Sequence, residues 1–238
     1  MTIFFRLLTA HLLVDFIIFR ERVYELRQCD EKYALGHALH VGVYVLAIII
    51  LCWPFMGMTW ADLGAFKING WLMLAPLVLI HLAADRFDRS STAAGAPGYN
   101  TIYFFARQLI SISALFLIAP AAPYMALTFF DKALLVLSGG VFVTYFLMMM
   151  LHHIDNDLNV QEFPTPDERY AEMLYRAVLY LLLLLPGYMG WGLGILWLVF
   201  VASTKNAHGF DASAIKIYIG TPLTILAALL IRMLVLYA

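Results

Sequence analysis

Two stretches of this chain repeat one pattern, His-Leu-x-x-Asp: His11 with Asp15, and His81 with Asp85. A histidine and a carboxylate at i and i+4 lie one helical turn apart on a single face. Imidazole nitrogen with carboxylate oxygen is a ligand set for Zn²⁺, Fe²⁺ or Mn²⁺, and a metal so held can activate water for hydrolysis. Further candidates are His37 and His40, at i and i+3, the adjacent Arg107 and Gln108, the His152-His153 pair followed by Asp155 and Asp157, and His208. The plainer reading is that each His–Asp pair hydrogen-bonds and ties helices together without a metal. His152 and His153 point ~100° apart on a helix, so at most one of them joins a shared site.

The elements that carry these residues are apolar. Of the 238 residues 63% are hydrophobic and 13% charged, with a mean hydropathy of +0.83. A soluble domain has about 45–50% apolar and about 25% charged residues. The apolar stretches are continuous rather than alternating, so helices in lipid are expected, each of ~20 residues. The predicted fold is an all-α polytopic bundle of about eight transmembrane helices: 2–19, 33–53, 70–86, 101–119, 132–153, from Pro166 to Pro186, 188–203 and 214–237. Asp30 and Asn100 are candidate N-caps, and Thr165-Pro166-Asp167-Glu168 reads as a capping box. The sixth helix is expected to start in water and enter the membrane near Arg176; if the run from Arg176 to Ser203 were one helix, seven would remain, and it would be ~42 Å long against a ~30 Å hydrocarbon core, which favours two. Residues 1–120 form a four-helix unit with the His/Asp cluster, and 121–238 a membrane extension of about four helices.

Basic residues set the expected orientation. One side collects Arg20, Arg22, Arg27, Lys32, Arg86, Arg89, Arg169, Lys205 and Lys216, and the other Lys67, Lys132 and Arg232. The first side is therefore read as cytoplasmic, with both termini outside a bacterial inner membrane. Trp53, Trp60, Trp71, Tyr188 and Trp191 fall at the predicted outer interface. The histidines then gather in the cytoplasmic leaflet, although Lys and Arg alone fixed the topology. The net charge of −1 gives no sign of a nucleic-acid partner; the partners expected are the bilayer and other membrane-protein chains. Cys29 and Cys52 would stand ~30 Å apart, too far for a disulfide. His11 and Asp15 interrupt the first apolar run, which argues against a signal peptide.

Arg107 lies about two turns inside the cytoplasmic end of its helix, too deep for a simply solvated charge. It keeps its proton, so it is expected to pair with Asp15, Asp85 or Asp88. Arg176 is expected to pair with Glu172 one turn before it. Met148, Met149 and Met150 read as apolar packing, and Gly190, Gly192 and Gly194 as sites of close helix approach. His37 and Arg107 are 70 residues apart, as are His11 and His81, a spacing that resembles two repeated helical hairpins.

At these residues the chain resembles a bacterial membrane family, domain of unknown function 3307. The family pattern is an H-L-x-x-D-F-x-x-Q helix, a histidine-bearing second helix, an H-x-x-x-D third helix and a D-Q-x-x-H fourth helix. His11, Leu12, Asp15 and Phe16 match it, then His37 or His40, then His81 and Asp85, then Gln108, over roughly residues 7 to 118. Phe19, Arg107 and Ser111 depart from it, at the positions of the glutamine, the aspartate and the last histidine. If those family positions bind metal, two candidate ligands are missing here. The resemblance implies the fold and a polar site, not a reaction.

Three functions follow as expectations. The first is a non-catalytic structural or assembly subunit whose cluster of His11, Asp15, His37, His40, His81, Asp85, Arg107 and Gln108 holds the first four helices together. The second is a metal-dependent membrane hydrolase, with His11, Asp15, His81 and Asp85 as ligands. The third is a proton or ion transporter, which needs polar residues reaching both leaflets. The outer halves of the predicted helices are read as nearly free of ionisable groups, which argues against transport.

Overall fold

The computed structural model describes residues 2–18, 26, 32–64, 66–93, 100–120, 127–159, 165–204 and 214–237, with side chains at all of these except 86–93 and a few helix ends. Asp30, Cys29, Phe19, Glu162, Lys205 and His208 lie outside the described residues, as do the side chains of Arg86, Asp88, Arg89 and Asn100.

Eight helices account for nearly all of the described chain. Helix α1 is Thr2–Phe16 and α2 is Tyr33–Cys52, closed by a 3-10 turn Trp53–Phe55 where Pro54 cannot extend the ladder. Helix α3 is Gly70–Ala93, longer than the stretch to Arg86 predicted from its apolar run. Helix α4 is Asn100–Ile118. Helix α5 runs Phe129–Val141, passes through a π-helical turn Phe142–Phe146 and continues as Leu147–Asn159. It begins and ends beyond the predicted limits; Asp131 near its start and Asp155 near its end are polar and yet buried. At the π turn the Thr144 hydroxyl donates to the carbonyl of Gly140 at 2.7 Å, a back-bond that bends helices.

Helix α6, Pro166–Leu184, opens with the predicted capping box: Glu168 N–H donates to Thr165 Oγ1, and the Glu168 carboxylate accepts from the Thr165 backbone. The Thr165 backbone N–H and then its hydroxyl, both donating to the Glu168 carboxylate, hold that carboxyl below the ordinary glutamate range. Helix α7 is Gly187–Thr204. The chain breaks between α6 and α7, as expected: Leu185 is extended and Gly187 takes φ +67°, a conformation that favours glycine. Gly190 and Gly194 pack closely on α6, whereas Gly192 faces open space, so only two of the three glycines serve close approach. Helix α8 is interrupted at Ile219, comprising Ala214–Tyr218 and Gly220–Tyr237.

One element departs from the all-helical expectation. Strands β1 (Thr59–Asp62) and β2 (Lys67–Asn69) form an antiparallel hairpin between α2 and α3. Gly64 turns it with φ +77°, and the Asp62 carboxylate accepts from Gly64 N–H at 2.9 Å. Trp60 is buried there and donates to the carbonyl of Phe55 at 2.9 Å. A Cβ on Gly70 would lie 2.7 Å from the Trp60 ring, so this tight packing requires glycine.

The segments Tyr33–Phe55, Thr101–Ile118, Phe129–Leu158 and Lys216–Leu236 are long and apolar enough to cross a membrane, and Gly70–Asp85 and Gly187–Ser203 are shorter apolar helices. Helices α1 and α6 carry buried charges, Arg6 and Asp15 in one and Glu172 and Arg176 in the other, which lowers their hydropathy. Large apolar side chains such as Leu46, Ile50, Leu79, Leu109 and Leu117 point outward, while the charges are inside.

The chain divides into two compact units, Met1–Leu134 and Leu135–Ala238. The core of the first unit is formed by Leu7, Ala10, Val14, Tyr44, Ile48, Leu77 and Leu115. In the second unit Met148, Met149 and Met150 are buried, as read from the sequence, with Leu147, Leu151, Leu179 and Leu183. Glu172 and Arg176 form their predicted i,i+4 pair within this unit, and Lys216 approaches Glu172 at 3.7 Å.

Candidate functional site

Helical spacing brings the polar residues of the first unit together. His11 and Asp15 come from α1, His40 from α2, His81 and Asp85 from α3, and Gln108 and Ser111 from α4; all seven are buried. Arg107 of α4 reaches in beside them, its side chain 15% exposed. An ionisable group inside an apolar bundle is tolerated only with partners, and here each helix supplies partners for the others.

The charges divide the two carboxylates into two sides. Arg107 Nη2 lies 2.8 Å from Asp15 Oδ2 and 3.2 Å from Asp85 Oδ1. Gln108 Nε2 also approaches Asp15 Oδ2, at 3.4 Å. The other oxygens face the imidazoles. His40 Nε2 is 3.4 Å from Asp15 Oδ1 and 3.8 Å from Asp85 Oδ2, and His81 Nε2 is 3.7 Å from Asp15 Oδ1. His11 and Asp15, one turn apart, are 3.8 Å apart. These separations exceed the short His–Asp hydrogen bond the spacing suggested. His11 Nε2 instead meets Gln108 Oε1 at 3.0 Å, and His40 and His81 meet each other, Nε2 to Nε2, at 3.0 Å. His37 lies at the edge, its Nδ1 4.0 Å from Asp85 Oδ2 and its ring stacked on Tyr33.

The rings are held by packing. Tyr44 lies flat on His81, ring centroids 4.1 Å apart and planes 11° from parallel. His40 stacks on the same ring at 5.1 Å and His11 meets it edge-on at 5.7 Å. Several polar atoms nevertheless have no hydrogen-bond partner: His11 Nδ1, His81 Nδ1, Asp15 Oδ1 and Ser111 Oγ. A cavity of about 10 Å³ adjoins two of these residues, His81 and Ser111, and is lined also by Tyr44, Leu77 and Leu115 among others. That is room for one water and not for a substrate.

A second buried ion pair in the same unit escaped the sequence reading. Arg6 Nε donates to Asp131 Oδ1 at 2.7 Å, and its Nη1 donates to the carbonyl of Leu51 at 2.7 Å. Phe55 and Phe130 lie against the guanidinium, with centroids 4.8 and 5.1 Å away. Thr128 completes the carboxylate through its backbone N–H and its hydroxyl. The pair sits near the start of α1 and the end of α2, far along the bundle from Asp15. The expectation that this half of the helices is nearly free of ionisable groups is thereby corrected for Arg6 and Asp131. Arg6 stands alone among apolar neighbours and Asp131 follows a loop, so nothing in their spacing links them. Between this pair and the His/Asp cluster lies an apolar layer that includes Leu7, Ile48, Leu77 and Leu115.

A family model described as "Protein of unknown function (DUF3307)" matches residues 3–136. The chain belongs to that family. The family segment contains α1 to α4 and the start of α5, and so includes Arg6 and Asp131, which the narrower resemblance over 7 to 118 left out. It also contains every member of the His/Asp cluster. Of the three departures from the family pattern, Phe19 lies outside the described residues. Arg107 takes a direct part in the cluster, and Ser111 is buried beside His81 at the cavity. No curated protein and no solved structure matches the chain. His152 and His153 lie in α5 within the second unit, with ring centroids 5.9 Å apart.

Proposed function

We propose that the chain is a multi-pass protein of the bacterial inner membrane, with eight spans and both termini outside. In this reading it is a non-catalytic structural or assembly subunit. Its His/Asp/Arg cluster ties the first four helices together. One observation carries this: a single guanidinium, Arg107, bridges the carboxylates of two other helices, Asp15 of α1 and Asp85 of α3. The positive charge that a buried acid needs is supplied from within the chain. A catalytic site needs an opening for substrate, and the cavity beside His81 holds no more than one water. The outward apolar faces suit lipid and the helices of other membrane proteins.

The excess of Lys and Arg in the loops between α1 and α2 and between α3 and α4 supports a cytoplasmic position for the cluster. Reporter fusions test this orientation. Fusions after Cys29 and after Ser90 read cytoplasmic, and a fusion after Trp60 reads external. The opposite pattern overturns the orientation. For the structural role, Arg107→Ala in the purified full chain lowers the unfolding temperature in detergent; an unchanged transition counts against it.

A further inference from the structure

We propose that this cluster binds one divalent transition-metal ion, of which Zn²⁺ is the type, through His40 Nε2, His81 Nε2, Asp15 Oδ1 and Asp85 Oδ2. The inference rests on the reading of the cluster as a closed knot inside the bundle, and adds a ligand to it. The first argument is the assignment of oxygens. Arg107 and Gln108 use Asp15 Oδ2, and Arg107 uses Asp85 Oδ1. Asp15 therefore turns its second oxygen away from the guanidinium and towards the imidazoles of His40 and His81, and Asp85 Oδ2 lies on the His40 side. The positive charge at Arg107 fills one side of Asp15 and leaves Oδ1, which has no hydrogen-bond partner, for a cation.

The second argument is metric. A tetrahedral Zn²⁺ site with arms of about 2.0–2.1 Å has ligand atoms about 3.3 Å from one another. Four of the six separations among these atoms are 3.0 Å (His40 to His81), 3.4 Å (His40 to Asp15), 3.7 Å (His81 to Asp15) and 3.8 Å (His40 to Asp85). Shifts of a few tenths of an ångström bring His40, His81 and Asp15 to that spacing, with Asp85 Oδ2 as the fourth ligand from the His40 side. His81 with Asp85 and His40, and His81 with Asp15 and His11, each form a group of donor atoms lying within 4.8 Å of one another. In the second group His11 Nε2 is already engaged by Gln108, so His40 is the better ligand.

Two further features fit a bound cation. With neutral imidazoles the two acids and one guanidinium leave a net charge of −1 in a buried place. Asp15 Oδ1, whose side chain is 1% exposed, has no hydrogen-bond partner. Tyr44 and His40 fix the His81 ring, so little side-chain freedom is lost on binding. One of the two rings carries its proton on Nε2 in this contact; on binding, that proton leaves to solvent and another adds at Nδ1 of the same ring, so both imidazoles stay neutral and present Nε2 lone pairs to the metal.

Cobalt provides the test. The full chain, purified in detergent with a histidine-free tag and stripped with a chelator, is titrated with Co²⁺ alone. The expected result is one Co²⁺ per chain, with the strong visible bands of a four-coordinate ion, lost when Zn²⁺ is added. His40→Ala and His81→Ala weaken binding by about a hundredfold or more, since loss of even a supporting partner costs ten- to a hundredfold. His153→Ala, in the second unit, leaves it unchanged. Folding of each variant is checked by gel filtration, and the parent result stands without the variants. A parent chain that gives no such bands overturns the inference, and so does binding abolished by His153→Ala. If the parent binds no metal while Arg107→Ala still destabilises it, the inference falls and the structural reading stands. If metal binds and Arg107→Ala changes no stability, the reverse holds.

Discussion

The first unit holds buried charge at both ends, and the two ends are built differently. At one end Arg6 has a full set of partners: a carboxylate, a backbone carbonyl and two aromatic faces. Asp131 is equally complete, with Thr128 on its second oxygen. At the other end the His/Asp/Arg cluster contains more polar atoms than its internal bonds use, and His11 Nδ1, His81 Nδ1, Asp15 Oδ1 and Ser111 Oγ have no partner. Unmade hydrogen bonds are costly in an apolar interior. A closed, complete pair is what anchoring alone requires. A surplus of polar atoms beyond what the internal bonds use is what a site requires.

That contrast can be sharpened by substitution. The largest effect is expected at Arg107, because its loss leaves two carboxylates buried without a cation. Arg107→Ala destabilises the full chain by roughly 3–5 kcal/mol, read as a fall in the detergent unfolding transition. Adding Asp15→Asn to that variant recovers part of the loss, since one stranded charge goes. Next comes Arg6→Ala. It strands a single carboxylate that Thr128 still holds, so a loss of about 2–3 kcal/mol is expected. An effect at Arg6 larger than at Arg107 would break the contrast between the two ends.

His11→Ala removes one buried hydrogen bond, to Gln108, and some ring packing; about 1–2 kcal/mol follows. The smallest effect belongs to the capping box of α6 in the second unit. Glu168→Ala costs at most about 1 kcal/mol. Because folding lowers the Glu168 pKa, its contribution is present above the ordinary glutamate range. It fades as the pH falls through and below that range, and Glu168→Ala removes this acid-side dependence. A pH titration of stability for parent and variant checks the sign.

The two ends also differ in how far they could be read without coordinates. The cluster was legible because histidine and aspartate one turn apart on an apolar helix are improbable as decoration, and because the pattern occurs twice. The pairing of Arg107 with an acid followed from depth and from a proton it does not release. Arg6 and Asp131 carried no such mark. They lie 125 residues apart, and each resembles an ordinary charge at a helix end. Most helices could be placed from the length of their apolar runs, and the Pro186-Gly187 break from turn chemistry. The hairpin between α2 and α3 could not. Its strands are three and four residues long, too short for alternation to show, and it is held by Trp60 packing over Gly70 rather than by strand propensity. The roles of the individual carboxylate oxygens were likewise out of reach, since spacing places residues and not atoms.

The central claim is that Arg107 and the two aspartates act as one buried unit joining α1, α3 and α4. A double-mutant cycle of Arg107→Ala and Asp15→Asn, measured by unfolding of the full chain in detergent, tests it most directly. The account predicts a coupling of about 1–3 kcal/mol, with the double variant more stable than the sum of the single losses. Additive losses, within about 0.5 kcal/mol, would contradict it.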